Sequence, residues 1–236
     1  MDEFYRTYNQ LPLIVEASSR FNKQLVSASL TDLNFFAKLS HLFSSEGDES
    51  GPYYSPCIIH RHFKLVQGER MIACENVSRP SKDTSPNIVP ECWLSTGQGI
   101  EHRYVNESDR SSFPDPPSAD FFSRFRDILR RHCIDDIGVC YSPPPLERGY
   151  IYLETLNHDN RSQIINPVLE SSIDRATTIP SIWTLMGGRT STDGGMAPNF
   201  FSGGGMALNK FGSPCILRCS VVCVNCPPVT LVDQLP

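Results

Sequence analysis

The sequence predicts an α+β fold: an N-terminal helical hairpin, then a mostly antiparallel, curved sheet with one further long helix. Three observations predict it. Apolar residues recur at helical spacing through about residues 1–45. From about 57 to 226, short apolar runs alternate with Gly-, Pro- and Ser-rich breaks, as strands and their turns do. One amphipathic stretch after Ser118 interrupts that region. Helices followed by a run of strands define the α+β class. A chain of 236 residues can bury a core without a metal or disulfide staple, and residues 1–236 read as a single domain.

In the helical part, Pro12 suits a first helical turn, and Leu13, Ile14, Ala17, Phe21 and Leu25 follow at spacings of three and four. Thr31 is an N-cap type for a second helix, with Leu33, Phe36, Ala37, Leu39 and Phe43 as its stripe. Residues 44–56 read as a polar loop. A strand over 57–66 (CIIHRHFKLV) and another over 70–77 form a hairpin about Gly68-Glu69, since Gly in the first turn position suits a type II′ turn. After a loop at 78–90, a second hairpin joins 92–96 to 100–106 through Gly97-Gln98-Gly99. Ser118 caps the long helix, whose apolar side carries Phe121, Phe122, Phe125, Ile128 and Leu129. Strands over 149–156, 163–168, 181–186 and 215–224 complete the chain, with a Gly-rich loop at 187–214. A connection that long in a compact domain is a functional lid or lacks order.

Composition excludes several function classes. The net charge of −5 and the absence of a Lys/Arg cluster argue against a nucleic-acid partner, which binds through cations that neutralise phosphate. No run approaches the roughly 20 apolar residues that span a bilayer, so no membrane partner is expected. An acidic start at Met1-Asp2-Glu3 is unlike a secretory signal, and nine cysteines, an odd number, read as reduced thiols. The expected compartment is the cytoplasm. Neither a phosphate-binding GxxxxGK[ST] nor GxGxxG, GxSxG or HExxH is present, and no cofactor is expected.

Two constellations carry chemistry. On a strand, His60, His62 and Lys64 share one face, and across the expected hairpin a histidine stands beside Glu75. A carboxylate fixes a histidine's tautomer and raises its basicity, as a general base requires, so His60, His62 and Glu75 are the candidate catalytic residues. A solvated strand face reads the same way, because polar residues alternating with apolar ones are what a half-exposed strand looks like. Arg61 and Tyr104 are candidate contacts to a substrate carbonyl, and Phe200 and Phe201 are candidate lid residues over an apolar ligand. A His-x-His with Glu75 or His102 can also begin a metal site.

The second constellation is Cys215, Cys219, Cys223 and Cys226. On a strand, positions four apart are about 13 Å from one another, too far to share one ion. Only Cys223 and Cys226 can chelate together, and otherwise the thiols are small apolar residues of a buried face. The expected function is therefore a cofactor-independent enzyme acting on a small, largely apolar molecule, of isomerase, dehydratase or cyclase type. The alternatives are a zinc-stabilised interaction module built on the C-terminal cysteines, or an adaptor with a solid interior.

Overall fold

The computed structural model describes residues 2–32, 34–48, 51–111, 113–186 and 216–224. It is an α+β structure in which a curved, mostly antiparallel sheet closes on itself. The N-terminal hairpin is not confirmed, because three helices stand there: α1 (Asp2–Gln10), α2 (Ile14–Thr31) and α3 (Phe35–Ser44). Pro12 lies in the break between α1 and α2, not in a first turn, as expected of a residue that disfavours helical geometry in the one before it. Leu13 is the N-cap of α2, and its N–H donates to the Glu16 carboxylate. Thr31 ends α2 instead of capping the next helix, and Asn34 occupies that cap.

Short strands β1 (Gly47–Asp48) and β2 (Gly51–Pro52) pair with each other. Ten strands form the barrel: β3 (Tyr54–Ile58), β4 (Arg70–Cys74), β5 (Val77–Ser81), β6 (Ile88–Trp93), β7 (Gly99–Tyr104), β8 (Ile137–Tyr141), β9 (Tyr150–Asn157), β10 (Ser162–Leu169), β11 (Thr178–Met186) and β12 (Ile216–Val224). Their cyclic order is β10-β5-β4-β7-β6-β8-β3-β11-β12-β9. Pairing is antiparallel except between β4 and β7 and between β9 and β12. Helix α4 (Ala119–Arg130) lies between β7 and β8 in the chain, and Ser118 Oγ accepts the Phe121 N–H as its cap. The β6–β7 hairpin forms at Gly97, whose φ of +88° only glycine adopts freely.

The predicted strand over 57–66 stops at Ile58, and β4 pairs with β5 and β7 instead of β3. The reason is a competition for backbone hydrogen bonds. Beyond Ile58, the Arg61 N–H donates to Pro12 O, the His62 N–H to the Tyr8 hydroxyl and the Leu65 N–H to Asn9 Oδ1, while Asn9 Nδ2 donates to Leu65 O. Helix α1 thus satisfies groups that a sheet neighbour would otherwise take. The predicted loop at 78–90 contains β5 and the start of β6. Pro80 is tolerated in β5 because its register partner is Met71 on one side, while β10 meets β5 only at Val77 and Ser78.

Helices α2, α3 and α4 cover the outside of part of the barrel. Ala17, Phe21 and Leu25 of α2, Phe35, Leu39 and Phe43 of α3, and Phe121, Phe125 and Leu129 of α4 form one core with Tyr54, Ile58, Ile137, Val139 and Trp183. A second cluster includes Cys57, Ile59, Met71, Cys92, Ile100 and Cys140, with Tyr8 of α1. In β3 every residue is buried, and in β8 all but Tyr141 are. Strands with helices outside and a filled or enclosed interior are buried on both faces. Arg20 of α2 ties this layer down through a two-point ion pair with Asp136, at 2.8 and 2.7 Å, just before β8.

Gly138 of β8 is closely packed against its strand neighbours, the end of β6 and the residue that follows β3. A Cβ there would lie 2.1 Å from Ile59 Cδ1 and 2.3 Å from the Trp93 carbonyl oxygen. Isoleucine can shift, but a strand carbonyl cannot move without disturbing β6. Gly138→Ala is expected to destabilise the protein by on the order of 1–3 kcal/mol, the usual range for overpacking. Urea titration checks this, with Gly68→Ala, whose position has open space but a φ of +85°, as the comparison for backbone strain alone.

Candidate active site

The barrel encloses a cavity of about 710 Å³. Strand register shows which end is which. The C-terminal ends of β4, β7 and β8 and the N-terminal ends of β3, β5, β6 and β9 lie together at one end. Tyr53, Glu75, Asn76, Tyr141, Tyr152 and the Pro143–Pro145 segment line the cavity there. At the opposite end the chain from Ile59 to Val66 leaves the sheet and packs against α1. That turn-away carries His60 and His62 to the cavity wall, both about 8% exposed.

The two histidines do not face Glu75. Glu75 occupies the β4–β5 turn with a φ of +55° and is exposed, although it lines the cavity near its other end. Glu154 of β9 and Glu101 of β7 are the carboxylates beside the histidines. His62 Nδ1 is 3.3 Å from Glu154 Oε1, and its Nε2 is 3.5 Å from Glu101 Oε1. His60 Nε2 is 3.9 Å from Glu154 Oε1, and the two imidazole rings meet edge to face at 4.6 Å. His60 Nδ1 lies 2.8 Å from Ile58 O. A carbonyl only accepts, so this nitrogen carries a proton and Nε2 is the ring atom that faces Glu154 and Cys223.

Electrostatics follow from this packing. Burial opposes charge on His62, but the Glu154 and Glu101 carboxylates outweigh it and hold its pKa above the ordinary value. Burial likewise works to raise Glu154, yet His62 and His60 pull it down to about 2, so its carboxylate stays ionised. Cys223 of β12 is buried beside this pair, its Sγ 3.9 Å from His60 Nε2, and burial next to the Glu154 charge pushes its thiol up. Glu154 Oε1 and Gln163 Oε1 are buried without hydrogen-bond partners among the described residues, and both side chains line the cavity.

Nearer the other end, Arg103 Nε donates to Glu91 Oε2 at 2.6 Å, and its Nη1 donates to the Glu75 carbonyl. Burial, with Glu101 adding to it, raises Glu91 to about 7 against the pull of Arg103. Three thiols, Cys57, Cys92 and Cys140, also line the wall. Cys57 Sγ and Cys92 Sγ are 3.6 Å apart, but β8 stands between their strands, a separation too wide for a disulfide without moving the backbone.

Other expected site residues fall elsewhere. Arg61 Nε donates to Leu11 O, fixing the turn-away segment to the α1–α2 connection, and Tyr104 is exposed at the end of β7. His102 faces away from Glu101 along β7. It packs edge-on to Phe4, and burial near Arg70 lowers its pKa to about 4. Phe200, Phe201 and Cys226, with the Gly-rich loop, lie outside the described residues. Glu154 and Glu101 are not among the catalytic candidates of the sequence, which reads them only as polar groups on strands, in YIYLETL and GIEHRY, that can line a pocket; nothing local pairs them with the histidines. No helix among the described residues is long and apolar enough to cross a membrane. No family model matches the chain, and neither a curated protein nor a solved structure matches it.

Arg161 holds the segment bearing the histidines. Its Nη1 and Nη2 donate to Glu69 Oε1 and Oε2 at 3.1 and 2.9 Å, and Nη2 also reaches Lys64 O. Arg161 lowers the Glu69 pKa, so the pair's contribution is present above the ordinary glutamate range and is lost as pH falls through the lowered value. Partial exposure limits it to roughly 0.5–1 kcal/mol. Arg161→Gln is therefore expected to lower Tm at pH 7, with the difference from wild type shrinking below pH ~4. Melts across that range, in low and high salt, check it.

Proposed function

We propose that this protein is an enzyme that binds a small, largely apolar molecule in the barrel and moves a proton on it, as an isomerase, lyase or cyclase does. The observation that carries this reading is a buried histidine–carboxylate cluster on the wall of a cavity of about 710 Å³. Cavities of that size accept drug-sized ligands and enclose most of their surface. An adaptor with a solid interior would have no such space.

The chemistry follows from the groups. His62 stands between two carboxylates, which stabilises its imidazolium; a substrate atom that displaces one carboxylate from its ring nitrogen takes that proton or returns one. Gln163 Oε1, buried with no hydrogen-bond partner among the described residues, can accept from a substrate hydroxyl or enol. Apolar wall residues such as Ile100 and Ile182 exclude water, which strengthens every charge interaction near the reacting atoms. Tyr8, Asn9 and Arg61 play no direct part and hold the 59–66 segment in place. A neutral or apolar molecule fits better than an anion, since among the described residues of the cavity wall Glu75, Glu91, Glu101 and Glu154 outnumber Arg103.

The test uses small apolar carbonyl compounds that raise Tm. Solvent deuterium entering a bound compound from D₂O, followed by NMR, reports proton transfer. Wild type is expected to catalyse exchange, and His62→Gln to slow it about 100-fold or more with binding retained. Compounds that bind without exchanging, or a His62→Gln variant as fast as wild type, would sink the proposal.

A further inference from the structure

We infer that His60 Nε2, a Glu154 carboxylate oxygen and Cys223 Sγ form a binding site for one divalent transition-metal ion of the zinc class. The three donor atoms all lie within 4.8 Å of one another, and the three residues are buried. His60 Nε2 is 3.9 Å from both Glu154 Oε1 and Cys223 Sγ. Ligands placed 2.0–2.3 Å from a tetrahedral ion stand about 3.3–3.6 Å apart, so the two His60 distances need to shorten by a few tenths of an ångström. Glu154 and Cys223, within 4.8 Å of each other, need to close by on the order of an ångström at most.

Two further features point to an ion. The orientation of His60 is already that of a metal ligand: Nδ1–H is engaged by the Ile58 carbonyl, so Nε2 is the nitrogen that an ion would take on losing its proton. Metal-bound histidines characteristically give their other N–H to a carbonyl or carboxylate in this way. The second feature is Glu154 Oε1, buried at a side-chain exposure of 5% and lacking a hydrogen-bond partner among the described residues. Such an oxygen is costly to leave unsatisfied. It lies 3.9 Å from His60 Nε2.

Donor chemistry selects the ion. One imidazole, one carboxylate and one thiolate suit zinc or cobalt, and the sulfur ligand disfavours calcium and magnesium. Three protein ligands leave a fourth position, the arrangement of a catalytic zinc instead of a structural one. His60 and Glu154 both line the cavity, so that position opens towards a bound molecule and is available to water or a substrate oxygen. His62, at 3.3 Å from Glu154 Oε1, becomes an outer partner that orients the ligating carboxylate. The site draws its ligands from β9, β12 and the segment after β3.

The experiment needs no substrate. Protein stripped with a chelator and kept reduced is dialysed against Zn²⁺ or Co²⁺, then examined by native mass spectrometry, absorption and melting. One ion per chain, a sulfur-to-cobalt charge-transfer band and a raised Tm are expected. Cys223→Ser removes the band, whereas Cys133→Ser, at an exposed thiol, leaves it. His60→Gln and Glu154→Gln lower affinity by more than the roughly 10–100-fold that loss of an outer partner costs. Failure of reduced wild type to hold an ion at micromolar free metal overturns the assignment. So does a band that survives Cys223→Ser, or a His60→Gln variant with wild-type affinity.

Discussion

The carboxylate of Glu154 is the constraint around which the interior is organised. It is 4% exposed in the middle of a strand, and an ionised carboxylate cannot be buried without cations or donors close by. Nothing on β10 or β12, the two neighbours of β9, brings a described cation to it. The positive and polar partners come from the chain that leaves β3, and so the sheet has to release that segment. Helix α1 makes the release possible by supplying Tyr8 and Asn9 to its backbone groups. Removal of a buried charge's partners typically costs several kcal/mol, so the fold of 59–66 and the ionisation of Glu154 depend on each other.

The barrel reconciles two demands that conflict in a flat sheet. Strands β3 and β8 bury their outer faces under helices rich in phenylalanine, which supply cohesion. Their inner faces, with those of β7 and β9, are then free to carry Glu101, Glu154 and thiols that contribute little to stability. Apolar area on the outside outweighs the polar interior, and each buried phenylalanine contributes roughly 2–3 kcal/mol. The cluster at the end closed by α1 is consequently shielded from bulk water, where ion pairs are weak, and keeps access to it through the cavity.

Much of this was legible in the sequence, for identifiable reasons. The helix at 119–130 declared itself by Ser118 and its phenylalanine stripe, and the β6–β7 hairpin by Gly97 and Gly99. Strands β9 to β12 emerged from short apolar runs between breaks, and the extended form of β12 disfavoured a shared ion among its cysteines. Alternation in IIHRHFKLV misled, because it is identical for a strand and for a bent segment whose backbone bonds go to a helix. His60 and His62 stood out by residue type, but their partners did not. Local pairing pointed to Glu75, while Glu154 lies 94 positions beyond His60 and reaches it only because the barrel closes. Strand β8 was hidden for the opposite reason: a strand buried on both faces has no period of two to read.

The central claim is that His60 and His62 are buried against Glu154 and Glu101 inside an accessible barrel. Long-range proton–nitrogen NMR of the imidazole rings in metal-free protein tests it most directly. The account predicts that His60 holds a proton on Nδ1, that both rings exchange slowly with solvent, and that Glu154→Gln perturbs both. Two rings with mixed tautomers and rapid exchange, unmoved by Glu154→Gln, would contradict it.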